Sequence, residues 1–184
     1  MSASDRWILD DHLQELASLK DRIAAVEAQL TAILADDPLV AQLLSLSGVG
    51  LVTAATMRAE IGRFDRFQTG KQLARFCGVT PRNASSGARQ ADAGLIKAGN
   101  PELRIVLIEL AHRLIHRLQG RWSELAHGML QRGKPKNVVV AAVANRWVRW
   151  LHHELRRGNS DLGSGSTKGV PPLPSPPSHP PQQA

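Results

Sequence analysis

Two adjacent serines, Ser85 and Ser86, are followed by Gly87 and stand among Arg82, Arg89 and Lys97, with Arg104 close behind. Hydroxyls among several cations suit gripping or attacking a phosphodiester. A serine oxygen can bond covalently to phosphorus, and the cations stabilise charge on the non-bridging oxygens. The same residues also read as a plain Ser/Gly turn on a basic surface, because no partnered base stands near them in the sequence.

A second chemical pattern is Ser47-Gly48-Val49-Gly50, between two short apolar stretches within residues 43–62. It is similar to a helix–hairpin–helix turn, in which two glycines expose backbone N–H groups beside a helix N-terminus, a site suited to phosphate. Gly48 and Gly50 would hold the backbone and read no base edges. The alternative is an ordinary turn between two helices, which also favours glycine. A third pattern is the basic stretch Arg132-Gly133-Lys134-Pro135-Lys136-Asn137. Its Lys134 and Lys136 read equally as phosphate contacts or as solvated charges. His112 and His116, four apart on a helix, could share a metal, but no carboxylate or Cys completes a ligand set, so packing or surface roles are favoured. Cys77 lies beside Phe76 on an apolar side and reads as a small buried hydrophobe.

The elements that must position these groups are helical. Leu9, Leu16, Ile23 and Leu30 recur every seven residues, and Leu19, Val26 and Ile33 form a second row. That pattern predicts a coiled-coil helix over residues 4–36, with Ser4 or Asp5 as cap and Asp37-Pro38 as stop. Thr69 caps a short helix ended by Gly78. Residues 79–99 lose all periodicity and read as a long irregular loop or small hairpin, the kind of segment that carries function in a compact domain. Asn100-Pro101-Glu102 starts the next helix, with Leu103, Val106, Leu107, Leu110, Leu114 and Ile115 as its buried stripe and Arg104, Arg113 and Arg117 pointing elsewhere. Further helices cover about 122–131 and 138–157, the last capped by Asn137. Gly158 ends the fold, and a Gly/Ser- then Pro-rich tail reads as disordered. The expected organisation is a coiled-coil helix (1–37), a compact helical domain (38–158) and a tail (159–184), mostly α throughout.

Composition agrees with a phosphate-rich partner. Residues 1–37 carry eight acids and three bases, whereas residues 38–184 carry twenty bases and eight acids, for a formal net charge of +7 overall. A basic body releases counterions when it neutralises phosphates, and the fact that seventeen of the chain's 23 bases are Arg favours bidentate phosphate contacts. Tyr is absent and Phe numbers three, so base-stacking platforms have few candidates. One cysteine excludes an internal disulfide and a Cys-based zinc cage. With no apolar run long enough for a membrane span and no secretory leader in view, a reducing cytoplasmic, nucleoid-associated setting is expected.

Taken together, residues 44–155 resemble the C-terminal domain of transposases of the insertion-sequence 110/116/902 family. Three stretches carry the resemblance. The first is Ser47-Gly48-Val49-Gly50 with Ala54-Ala55, Glu60-Ile61-Gly62, Phe64 and Phe67. The second is Gly78-Val79-Thr80-Pro81, Ser85-Ser86-Gly87, Gly94-Leu95-Ile96-Lys97, Gly99-Asn100 and Leu103-Arg104. The third is Gly133-Lys134-Pro135-Lys136. The resemblance implies DNA recombination with Ser86 as nucleophile (Ser85 the alternative) and Arg82, Arg89, Lys97 and Arg104 on phosphates. It also implies a guide RNA, action as oligomers, and Mg²⁺ supplied by a RuvC-like half rather than by this chain; the heptad rows make self-association through the N-terminal helix, residues 5–36, the expected route to a homo-oligomer. The sequence starts at the coiled-coil helix, so a truncated or decayed copy, or one half of a split enzyme, is expected. A non-catalytic nucleic-acid-binding or dimerisation module is the alternative.

Overall fold

The computed structural model describes residues 1–83, 92–95 and 98–162. Among the described residues, seven helices and a two-stranded sheet follow in the order α1 (Ala3–Leu34), α2 (Pro38–Leu44), α3 (Leu51–Ile61), a short 3-10 turn (Phe64–Arg66), α4 (Gly70–Phe76), β1 (Pro81–Asn83), β2 (Asp92–Leu95), α5 (Pro101–His116), α6 (Arg121–Gln131) and α7 (Lys136–Leu162). The mostly α expectation holds.

α1 is one unbroken helix of 32 residues with no buried residue. Its cap is Ser2, not Ser4 or Asp5: the Ser2 hydroxyl accepts from the Asp5 N–H while the Asp5 carboxylate accepts from the Ser2 N–H. Asp5 serves instead as the returning acid of that capping box. Except for Leu30, which is half-buried, the two heptad rows stay in solvent, with Leu9, Leu16, Leu19, Ile23, Val26 and Ile33 between 42% and 77% exposed. Only the end of the helix, at Leu34, packs on the body.

The body is organised around α7. Its Val139, Val143, Trp147, Val148 and Leu151 are fully buried against Leu73 and Ala74 of α4, Leu103, Leu107 and Leu110 of α5, and Ala126 of α6. α2 and α3 close the other side through Val40, Leu43, Ala54, Met57 and Ile61. Gly70, the first residue of α4, is needed for the α4–α7 crossing: a Cβ there would stand 2.9 Å from the backbone of Arg149. Asp37 accepts from the Leu39 and Val40 N–H groups to start α2, and it also pairs with Arg58. Arg58 in turn donates to the Gly62 carbonyl that ends α3. One carboxylate thus ties the start of α2 to the end of α3.

Two boundaries differ from expectation. α7 begins at Lys136, because the Val139 N–H already donates to the Pro135 carbonyl; Asn137 lies inside the first turn, where its side chain accepts from the next N–H, Val138. α7 also continues through Gly158 to Leu162, so residues 159–162, read as tail, are helical. Residues 163–184 lie outside the described residues.

Candidate nucleic-acid interface

The serine-bearing segment lies between Gly78, just after α4, and Asn100, the cap of α5. Ser85, Ser86, Arg89 and Lys97 lie outside the described residues, but the base that carries them is well defined. β1 and β2 pair antiparallel, Pro81 opposite Leu95 and Asn83 opposite Asp92, so β2 holds one extra residue. Gly94, at φ 72°, supplies the left-handed conformation such a bulge needs. Residues 79–99, read as a loop or small hairpin, are therefore paired at their base. Arg82 sits on β1, and the segment between the strands spans only 84–91.

Four contacts pin this base. The Asn100 N–H donates to the Phe76 carbonyl at 2.9 Å. Gly99 packs onto Gly78, whose φ of 69° and close guanidinium neighbour leave no room for a side chain. Arg104 of α5 donates from Nε to the Gly78 carbonyl at 3.0 Å, and Asn145 of α7 donates to the Val79 carbonyl at 3.1 Å. Asn100 has a double role. Its side-chain oxygen caps α5 by accepting from the Leu103 N–H, and its amide donates to the Glu60 carboxylate at the end of α3. Helices α3, α4, α5 and α7 all meet at this base.

The Gly48–Gly50 turn is held from behind. Gly48 has φ 84°, and a Cβ on it would press within 3.2 Å of the Leu110, Leu114 and Leu118 side chains. Arg113 reaches across from α5, donating from Nε to the Gly48 carbonyl at 3.1 Å and from Nη2 to the Thr53 hydroxyl at 3.0 Å. Arg113 therefore does not point away, as the sequence pattern implies, but clamps the turn. Gly50 is exposed at the N-cap of α3, and no side chain caps that helix. Its first N–H groups are those a helix cannot satisfy internally. Arg104 and Arg113 lie nine residues apart on α5, so hairpin base and turn are arranged along one helix about 14 Å apart.

Lys134 and Lys136 are exposed, in the α6–α7 turn and at the first residue of α7. Lys136 shares a cavity of about 690 Å³ with Pro81, Leu95, His112 and His116, which brings it beside the hairpin. The His112 and His116 rings stack at 6.0 Å. Among the described residues no group of three or more His, Cys, Asp or Glu is placed to hold a metal ion. Burial pushes the Cys77 thiol up to about 12, so it stays protonated and inert. No helix among the described residues is long and apolar enough to cross a membrane.

Sequence reading missed Arg113 as a clamp and discounted aromatic stacking. Trp122, Trp147 and Trp150 in fact meet around one cavity beside the Ser47 turn. The i, i+3 spacing of Trp147 and Trp150 on one helix was the visible signal; the approach of Trp122 from α6 was not visible locally.

Comparison with known proteins points to one family. Residues 40–127 match the family described as Transposase IS116/IS110/IS902 family. The chain is 34% identical over 156 residues to a Pseudomonas aeruginosa protein named "Probable family 20 transposase", a match covering 82% of this chain and 45% of that protein. It is 31% identical over 139 residues to the transposase for insertion sequence element IS1328 of Yersinia enterocolitica, covering 74% and 41%. It is 29% identical over 140 residues to the transposase for insertion sequence element IS1111A of Coxiella burnetii, covering 74% and 38%. The chain spans less than half the length of these curated relatives. The matched segment runs from within α2 into α6 and includes the Gly48–Gly50 turn, Gly78, Gly99, Arg104 and Arg113, and with these relatives it shows that the chain belongs to the IS116/IS110/IS902 transposase family.

Proposed function

We propose that this chain binds DNA through its basic helical body and supplies Ser86, with Ser85 as the alternative, as the nucleophile of a strand-exchange reaction. The serine oxygen attacks a backbone phosphorus, a phosphoserine ester forms, and a sugar hydroxyl leaves carrying the proton. Arg82, Arg89, Lys97 and Arg104 hold the phosphate oxygens, and Gly48 and Gly50 offer backbone N–H groups to the neighbouring strand. Lys134 and Lys136 add contacts that position without reading sequence.

The observation that carries this reading is the pinned hairpin base. The segment that carries Ser85, Ser86, Arg82, Arg89 and Lys97 is anchored at its ends by Gly78–Gly99 packing, by Arg104 and by Asn145. Reactive groups gain rate when rigid elements fix their supports. α1, with its exposed heptad rows, pairs with the α1 of a second copy, and a guide RNA is a further proposed partner. Metal chemistry enters only through a RuvC-like partner half, and no step assigned to this chain runs through an ion.

A second reading keeps the binding and drops the chemistry. The uncapped α3 turn and the α1 seam, on which it rests, need no serine. Trapping of a covalent protein–DNA adduct separates the two. An adduct lost in Ser86→Ala supports the first; salt-sensitive binding with no adduct supports the second.

A further inference from the structure

Three of the chain's four tryptophans line a single cavity of about 300 Å³ between the α2–α3 turn, the end of α5 and the start of α6. Trp147 forms its buried floor at 1% exposure, and Trp122 and Trp150 are half-buried. Trp122 and Trp150 meet edge to face at 5.9 Å, and Trp150 meets Trp147 at 6.1 Å. Leu114 and Leu118 supply an apolar wall; Ser45 and Ser47 supply hydroxyls from the turn. The exposed Arg121 lies over this cluster, its guanidinium carbon 4.1 Å from the Trp122 ring centroid and 5.1 Å from that of Trp150.

This combination is selective. Indole faces and an apolar wall favour a flat, π-rich ligand, while hydroxyls on one edge favour polar atoms around its rim. The guanidinium repels cations and stacks on π systems. The volume sits at the small end of ligand pockets, which suits one planar group and excludes a folded peptide. Ser47 belongs to the same turn whose backbone N–H groups are proposed to meet phosphate, so one ligand can place its phosphate on the turn and its ring in the cavity.

We propose that the cavity takes an unpaired nucleobase of a single strand, DNA or RNA, with Trp122 and Arg121 as the stacking pair. The proposal rests on the reading that the Gly48–Gly50 turn meets a nucleic-acid backbone. It adds to that reading a recognition of unpaired rather than duplex strand, which backbone contacts alone do not provide.

The test uses the full chain in a Trp7→Phe background, which removes the one tryptophan outside the cavity. Short unstructured DNA and RNA oligonucleotides are titrated at low salt against an abasic strand of the same length, and a duplex serves as the backbone-only reference. Base-bearing strands should quench tryptophan emission at least twofold more than the abasic strand, and the DNA and RNA arms identify which strand is preferred. Binding of a labelled oligonucleotide, read by anisotropy, should weaken about 10-fold in Trp122→Leu, as expected for loss of one stacked base. Arg121→Gln, a change at an exposed side chain, should weaken the same binding while leaving duplex binding within about twofold. Equal quenching by base-bearing and abasic strands, with duplex binding intact, overturns the proposal and leaves the backbone reading standing. Failure of every strand and of the duplex to bind overturns both.

Discussion

Gly99 rests directly on Gly78: a Cβ placed on Gly99 would collide with the Gly78 Cα and fall 2.7 Å from its nitrogen. The two ends of the serine-bearing segment therefore touch backbone to backbone, and the Arg104 side chain closes over Gly78 from α5. Replacing Gly99 by Ala forces backbone apart where no flexible side chain can yield. Thermal or denaturant unfolding of Gly99→Ala should show a loss of about 1–3 kcal/mol. Gly94→Ala, where nothing lies within 4 Å, should cost only the strain of its left-handed backbone, about 1–2 kcal/mol. Equal, negligible effects would mean the hairpin base is not pinned as described.

Arg113 holds the glycine turn by two hydrogen bonds, to the Gly48 carbonyl and the Thr53 hydroxyl. Lys at this position keeps the charge but cannot span both acceptors. Arg113→Lys is expected to lose about 1–2 kcal/mol of stability by denaturant unfolding. It should also weaken duplex binding several-fold beyond what the stability loss explains, because the α3 N-terminus is no longer fixed. Unchanged stability in this variant would remove Arg113 from the account.

The Asp37–Arg58 pair predicts an acid-sensitive step. Burial raises the Asp37 carboxyl, but the Arg58 hydrogen bond, the Val40 and Leu39 N–H groups and the Arg58 charge together outweigh it and hold the carboxyl below its ordinary 3.8. A carboxylate with a lowered folded-state pKa stabilises the fold above 3.8 and loses that contribution as pH falls through the lowered value. Asp37→Asn keeps the helix cap and loses the ion pair, so it should cost under about 1 kcal/mol at pH 7. Asp37→Ala loses the cap as well and should cost about 1–2 kcal/mol. Stability measured from pH 6 to 3 should fall less steeply in Asp37→Asn than in the wild type; identical slopes would contradict this.

The exposed seam of α1 predicts self-association. Leu16 and Ile23 are each more than half exposed on a helix that packs on its own body only at its C-terminal end. Sedimentation should show a concentration-dependent dimer or larger species, and Leu16→Lys combined with Ile23→Lys should return a monomer with the body still folded by circular dichroism. A wild-type monomer at high concentration would contradict the proposed pairing.

Much of the fold was legible because it is written in local signals. The α5 stripe, the Asn100 and Thr69 caps and the heptad rows of α1 all depend on neighbours within a few turns, and the structure reproduces them. The features missed depend on distant approach. Arg113 is polar and sits off the buried stripe, so periodicity assigns it to the surface; its partners lie 65 and 60 residues away. The tryptophan cavity as a whole has no local signature either: aromatic residues are scarce over the whole chain, yet three indoles from two helices gather in one place. The close packing of Gly99 against Gly78 has no periodic signature.

The most direct test of the central claim is covalent trapping. The chain is incubated with labelled junction DNA, candidate RNA and Mg²⁺, with and without a RuvC-like domain from a relative, then denatured and resolved by size. The account predicts a denaturation-resistant protein–DNA band that disappears in Ser86→Ala and persists in Ser85→Ala. A band that survives Ser86→Ala, or no band in any arm while salt-sensitive binding remains, would contradict it.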